Sequence, residues 1–204
     1  MIASVLGIII SGGAISLLSH SVNSNAAILK DIHLNQELRT IMNGIVKDIR
    51  RAGYWQQADG VSTNPYSNIF VSEDKTCILY SYDTEPHENQ EIGDEDNYGI
   101  RLLNNTIRIR EKSSGCNTSR FWRSVTDNSS IKISTLVFAT GNLCTNISTS
   151  DRSCKNADVG DVLAIKHIID VTLSGHLNNN PKNSLTLKEK IVVRNSESKL
   201  IGDA

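Results

Sequence analysis

The first 52 residues constrain this chain most, because one stretch has to satisfy two different surroundings. Met1 to Leu18 carry no charged side chain, and the first charge of the chain is Lys30. A run of 18 mostly apolar residues, if helical, is long enough to cross roughly 30 Å of hydrocarbon. From Ile28 onward the apolar residues thin to a stripe: Leu34, Leu38, Ile41 with Met42, Ile45, Ile49 and Ala52. Steps of three and four place them on one side of an α-helix, and that side must be buried. Leu38, Ile41, Ile45 and Ile49 are therefore expected to pack on the rest of the chain. Lys47, Arg50 and Arg51 suit the negative end of the helix dipole, and Gly53 suits the left-handed position after it. A helix from near Met1 to near Ala52 would be about 78 Å long, of which about 30 Å fits in a bilayer. The expected organisation is a membrane-spanning part over 1–25, an amphipathic part of the same helix over 26–53, and a head domain over 54–204.

About 150 residues beyond the helix suffice for one head with its own core. The net charge of −1 and pI near 6.5 provide no general field to attract nucleic acid. All four cysteines, Cys77, Cys116, Cys144 and Cys154, follow the apolar segment. An even number beyond a membrane favours two disulfides, and hence an extracytoplasmic head behind a single-pass anchor. The competing reading is a cleavable signal peptide cut near Ser24-Asn25-Ala26; against it stand the absent basic n-region, the long apolar run and a helical pattern that continues through the cut.

The head reads as strands. Asn68 to Ser72 and Thr76 to Tyr82 are β-rich, and Tyr98 to Leu103 and Thr106 to Glu111 flank Asn104-Asn105, a pair suited to a primed hairpin turn. Phe121 to Val125 and Ile131 to Phe138 follow. Gly141 to Asp158 reads as a loop, Val162 to Leu177 as a long strand, and Leu185 to Arg194 as its antiparallel partner across a turn at Asn178 to Ser184 that contains Pro181. The acidic stretch Asp83 to Asn97 reads as an exposed loop, and Leu200 to Ala204 as a tail without a role. The expected class is α+β, a long N-terminal helix on an antiparallel sheet. Four cysteines allow three pairings. The short interval within one loop favours Cys144 with Cys154, which leaves Cys77 with Cys116 by elimination.

Catalytic and metal-binding constellations are missing from the sequence. His20, His33, His87, His167 and His176 have no Cys or carboxylate at ligand spacing, no glycine-rich loop joins a strand to a helix, and no serine sits in a nucleophile elbow. No enzyme activity, cofactor or metal is expected. Asp94 to Gly99 begins like a calcium loop but has Tyr98 and Asn105 where oxygen ligands belong. Arg101, Arg108, Arg110, Lys112, Arg120 and Arg123 read as the outward face of a half-buried sheet, with DNA contact as the competing reading.

MIASVLGIIISGGAISLL is similar to the apolar half of a pilin helix, and KDIRRAGYW (Lys47 to Trp55) to the DLRxAGY helix ending of PilW-like sequences. CILYSYD (Cys77 to Asp83), FWRSVTD (Phe121 to Asp127) and IVVRN (Ile191 to Asn195) resemble further stretches of the same family. The chain thus resembles the minor pilins of type IV pilus systems, most closely the PilW type, with the J-type pseudopilins of type II secretion as the nearest relatives in layout. The family's basic leader and FTLIEL-like mature start do not precede Met1. The expectation is that the sequence begins inside the mature helix, so that neither cleavage site nor assembly carboxylate is assigned to a residue here. The resemblance implies a pilin-like fold and a subunit that primes or promotes pilus assembly for twitching, adhesion or DNA uptake. Its partners would be other minor pilins, the major pilin and the inner membrane, with final incorporation into the surface pilus. A J-type pseudopilin and a membrane-anchored or secreted binding protein are the alternatives.

Overall fold

The computed structural model describes residues 2–56, 64–84, 92–150, 154–195 and 197–202, with side chains from residue 12 onward except at 14, 23, 27 and 197–200. Helix α1 (Ile2–Ile49) opens the fold. At its end the hydrogen-bond ladder tightens: Arg50 N–H still reaches Val46 O, whereas Arg51 and Ala52 donate to Asp48 O and Ile49 O, three residues back. Gly53 then takes φ 72°, a conformation that a side chain would strain, and its N–H donates to Ser81 O at 2.9 Å. The helix terminus is thereby tied to the head.

Two antiparallel sheets follow instead of the single sheet expected. The first runs β1 (Phe70–Val71), β2 (Cys77–Ser81), β3 (Asn97–Leu103), β4 (Thr106–Arg110) and β5 (Trp122–Ser124), each strand beside its sequence neighbour. A short 3-10 turn, Asp94–Asp96, leads into β3, and residues 85–91 of the acidic stretch lie outside the described residues. Asn104 and Asn105 adopt φ 54° and 59°, the left-handed geometry of a primed two-residue turn. The second sheet has the order β6 (Ile131–Asn146), β7 (Val162–Leu177) and β8 (Asn180–Val192), with β9 (Glu197–Leu200) pairing the start of β7.

Three boundaries differ from the sequence reading. Gly141 to Asn146 is strand and not loop, because the whole of Ala139 to Asn146 pairs with Leu163 to Asp170. Cross-strand pairing there overrides the weak β-preference of Gly141 and Asn142. The turn after β7 is only Asn178 and Asn179, and Pro181 is absorbed where the register shifts from Leu177 opposite Asn180 to His176 opposite Ser184. An irregularity in an edge strand is where a residue without N–H is tolerated. Leu200, placed in the tail, closes β9 opposite Val162.

The core joins three layers. Leu34, Leu38, Met42, Ile45 and Ile49 of α1 are buried together with Ile78, Ile100 and Ile107 of the first sheet and Leu136, Phe138, Ile169 and Leu173 of the second. Ile41 is partly buried at the margin. Each fully buried aliphatic side chain contributes about 1.5–3 kcal/mol. Gly175 of β7 permits the close approach of α1, since a Cβ there would meet Leu38 Cδ2 at 3.0 Å. Backbone bonds from Phe138 N–H to Lys75 O (2.9 Å) and from Ile133 N–H to Asn105 O (3.0 Å) link the sheets.

Among the described residues no helix is long and apolar enough to cross a membrane. The membrane span expected over 1–25 is therefore not found among them. Most of the uncharged run Met1 to Leu18 falls on positions whose side chains lie outside the described set.

Candidate assembly surface

Helix α1 changes surroundings at Leu34. From there to Ile49 one side is buried in the head, whereas every described side chain from Gly12 to His33 is exposed. Among the exposed apolar residues of this free part, Ile15 (66%), Leu18 (67%), Val22 (59%), Leu29 (66%) and Ile32 (46%) recur at steps of three, four, seven and three, with exposed Asn25 at the one missing position and with Leu17 (75%) and Ile28 (53%) widening the stripe on one flank. That is the spacing of a helix-packing seam. At 3.6 residues per turn its centre lies roughly 180° around the helix from the stripe that faces the head. The helix thus carries two seams on opposite sides, one filled by its own head and one open. The sequence reading missed the second, because residues 1–18 are apolar enough to look uniform; the spacing from Ile15 to Ile32 was the available signal.

A polar clasp joins the helix to the head beside its last buried turns. Asp48 accepts hydrogen bonds from both Tyr80 Oη and Tyr82 Oη, the latter at 3.0 Å. The Tyr82 ring lies flat on Tyr98, with centroids 3.9 Å apart, and the Arg51 guanidinium sits 4.3 Å above the Tyr82 ring. Burial, followed by the Asp48 charge, pushes both phenols up from their ordinary values. Burial and then Asp96, which accepts from the phenol at 3.4 Å, push Tyr66 up to about 12. Beside the clasp, a cavity of about 790 Å³ opens between α1 and strands β3 to β5, with Ile41, Gly44, Ile45, Ile109, Arg110 and Val125 among its lining. Ile41 and Ile45 therefore border this cleft as well as the core, while Leu38 and Ile49 are fully buried.

The disulfides join Cys77 to Cys116 and Cys144 to Cys154. The first holds the segment after β4 across the outer face of the first sheet, and Arg101 lies beneath it. Arg101 is 4% exposed, its Nη1 donates to Cys116 O and Thr118 O at 2.5 and 2.7 Å, and its guanidinium stacks 4.2 Å from the Trp122 ring. Burial, with the neighbouring Arg108, lowers its pKa. The expectation of an outward row of arginines is corrected here: the cross-strand neighbour Cys77 brings a covering loop over Arg101. Arg123 pairs with Glu111 at 2.8 Å, and Arg110 donates to Tyr98 O and Lys112 O. Lys112 and Arg120 lie over the Phe121 ring.

His20 and His33 are exposed on α1, and His87 lies outside the described residues. His167 Nδ1 meets Asn142 Oδ1 at 2.8 Å, and His176 Nδ1 meets Leu177 O at 3.0 Å. Among the described residues no three His, Cys, Asp or Glu side chains are grouped to hold a metal ion.

Residues 27–193 match the family described as Prepilin peptidase-dependent protein B. The chain belongs to that family. It is thus a protein related to type IV pili and pseudopilins, and it interacts in general terms with other pilus components. The match covers the head-facing part of α1, both sheets up to Val193 and all four cysteines. No curated protein and no solved structure matches the chain.

Proposed function

We propose that the protein is a minor pilin of the PilW type, a non-enzymatic subunit that primes or promotes assembly of a type IV pilus through the open side of α1. In this reading the first part of the helix anchors the chain in the inner membrane with the head in the periplasm. On assembly the same helix passes into the fibre core, beside the helices of other minor pilins and the major pilin. The observation that carries the proposal is the two-sided helix, with one seam spent on the head and an opposite apolar seam exposed from Ile15 to Ile32. Exposed apolar surface of that regularity requires a partner, and a helix satisfies its own backbone in lipid and in a fibre core alike. The surface pilus would then serve twitching, adhesion or DNA uptake.

The test is complementation of a strain lacking the gene. Loss of surface pili, restored by the full gene, is expected. Val22→Asp, which puts a charge into the exposed apolar seam, should fail to restore them while leaving the head folded. Normal piliation of the deletion strain with a defect in protein secretion would turn the assignment to a J-type pseudopilin. Rescue by an exported head that starts at Gly53 would refute a role for the helix.

A further inference from the structure

The edge strands of the two sheets are defended unequally. A bare strand edge offers unpaired N–H and C=O groups to any extended chain, and proteins protect such edges with shortness, charge, proline or a cover. β1 has two residues, and β5 has three and carries Arg123. β8 carries Pro181, Lys182, Lys188, Glu189 and Lys190. β6 is different: it is 16 residues long, with Lys132 its only charge, and no charged residue follows until Asp151.

The first half of β6 is covered, since the outward N–H groups of Ile133 and Phe138 donate to Asn105 O and Lys75 O of the first sheet. Among the described residues the second half is not, although Cys144 is tied to Cys154 by a disulfide. Groups alternate in direction along an antiparallel strand, so from Phe138 the residues whose N–H and C=O both point away from β7 are Thr140, Asn142 and Cys144. Their outward backbone groups have no partner among the described residues, and Ala139 to Leu143 are exposed. A Cβ on Gly141 would meet nothing within 4 Å, and Leu143 is 48% exposed beside the edge.

We propose that the outer edge of β6 from Thr140 to Cys144 is a strand-addition site, whose partner is an uncharged extended segment of a different polypeptide subunit. Resting on the assembly reading above, the direction of α1 selects a different subunit over a second copy. Leu38 lies against Gly175, whereas Ala52 and Gly53 lie near His167, so α1 runs against β7 and along β6. Two copies paired by a two-fold axis through antiparallel β6 edges would send their open helix seams to opposite poles, where both cannot enter one membrane or one fibre core. The edge also lies at the pole away from the free part of α1: the Asp31 to Asn183 hydrogen bond marks the helix side, and Gly141 to Asn146 lies at the other end of the sheet. Strand addition there leaves the helix seam free. A neutral partner suits the edge because the strand offers no charge to neutralise a buried ion.

The experiment uses the full chain in detergent micelles and, as probe, a blocked eight-residue peptide alternating valine with threonine, read by residue-resolved amide hydrogen exchange. Exchange at Thr140, Asn142 and Cys144 is expected to slow about tenfold or more, while Gly141 and Leu143, already bonded to β7, stay unchanged. Thr140→Pro removes one outward donor without touching a β7 bond and should lose most of the protection. The fully N-methylated peptide, which requires no change to the protein, should give none. No slowing with the unmodified peptide, or equal slowing with the methylated one, overturns the proposal. Protection of the same three amides before peptide is added, with a doubled protein mass, overturns the choice of partner. These outcomes are read without pili, and the complementation result is read without the peptide, so either reading can fail alone.

Discussion

Replacing Asp48 tests whether the polar clasp, and not apolar contact alone, sets the register of helix and head. Asp48 receives two phenol hydrogen bonds, and both donors are buried: Tyr80 is 2% and Tyr82 3% exposed. Asp48→Ala takes this acceptor from two phenols, of which Tyr82 still has Tyr98 beside it. Each such group costs about 1–3 kcal/mol when water cannot replace the partner. Asp48 also borders the 790 Å³ cavity, through which water reaches part of the site, so the lower half of the summed range applies, ~2–4 kcal/mol. Asp48→Asn keeps one good acceptor oxygen and should cost about half as much. The assay is urea unfolding of the full chain in detergent micelles, followed by tyrosine fluorescence and near-UV dichroism. The decisive step is a double-variant cycle. Tyr80→Phe should destabilise the parent by ~1–2 kcal/mol but be neutral or stabilising beside Asp48→Ala, where the phenol already lacks a partner. An Asp48→Ala cost below about 0.5 kcal/mol, or an equal Tyr80→Phe cost in both backgrounds, would show that the clasp does not hold the helix.

Stability should also fall in alkali. Tyr66 keeps its proton up to about 12 in the fold, against 10.0 in the open chain, and Tyr80 and Tyr82 are raised as well. Between those values the unfolded chain releases protons that the native state retains. The contribution is therefore complete below about pH 10 and lost as pH rises towards 12. Urea midpoints should drop across that window, and phenolate absorbance from these tyrosines in the folded protein near pH 10 would contradict it. The disulfides should differ in weight: their sequence separations are 39 for Cys77–Cys116 and 10 for Cys144–Cys154, which correspond to ~4 and ~3 kcal/mol of unfolded-state entropy. Paired Cys→Ser variants compared by urea midpoint check the order, and a larger loss from the shorter bridge would reverse it.

The α+β class was legible because two periods are written plainly in the chain. Leu34, Leu38, Met42, Ile45 and Ile49 recur at helical steps, and Ile169, Val171 and Leu173 alternate as a half-buried strand does. The division into two sheets was not, since alternation names a buried face without naming what covers it. Gly141 and Asn142 looked like breakers because strand preference is a property of neighbours, and their neighbours Ile168 and His167 stand 27 and 25 positions away. Asp48 offered no signal for the same reason: a carboxylate on a helix reads as solvated until Tyr80 and Tyr82 are brought to it from 32 and 34 positions on. Arg101 was misread because alternation places it outward, and only the Cys77–Cys116 bridge brings a covering loop over that face.

The two seams of α1 put different demands on its length. The head occupies Leu34 to Ile49, about four turns, and a shorter buried stretch would leave one isolated helix holding the orientation of the whole head. Apart from the Asp31 to Asn183 hydrogen bond the described free part gains little from the head, and its exposed apolar residues favour association, so its partner has to supply what water does not. Placing the clasp at Asp48, close to where α1 ends at Ile49, then has a mechanical reason. A rigid helix transmits a small rotation at its base over its full length, and fixing the last turns to Tyr80, Tyr82 and Ser81 sets where the outer seam points. Loosening the clasp should therefore misdirect Ile15 to Ile32 before it unfolds the head. Asp48→Asn, stable enough to fold, is expected to reduce piliation more than a head variant of equal stability away from α1, and equal piliation at matched stability would place the specificity elsewhere.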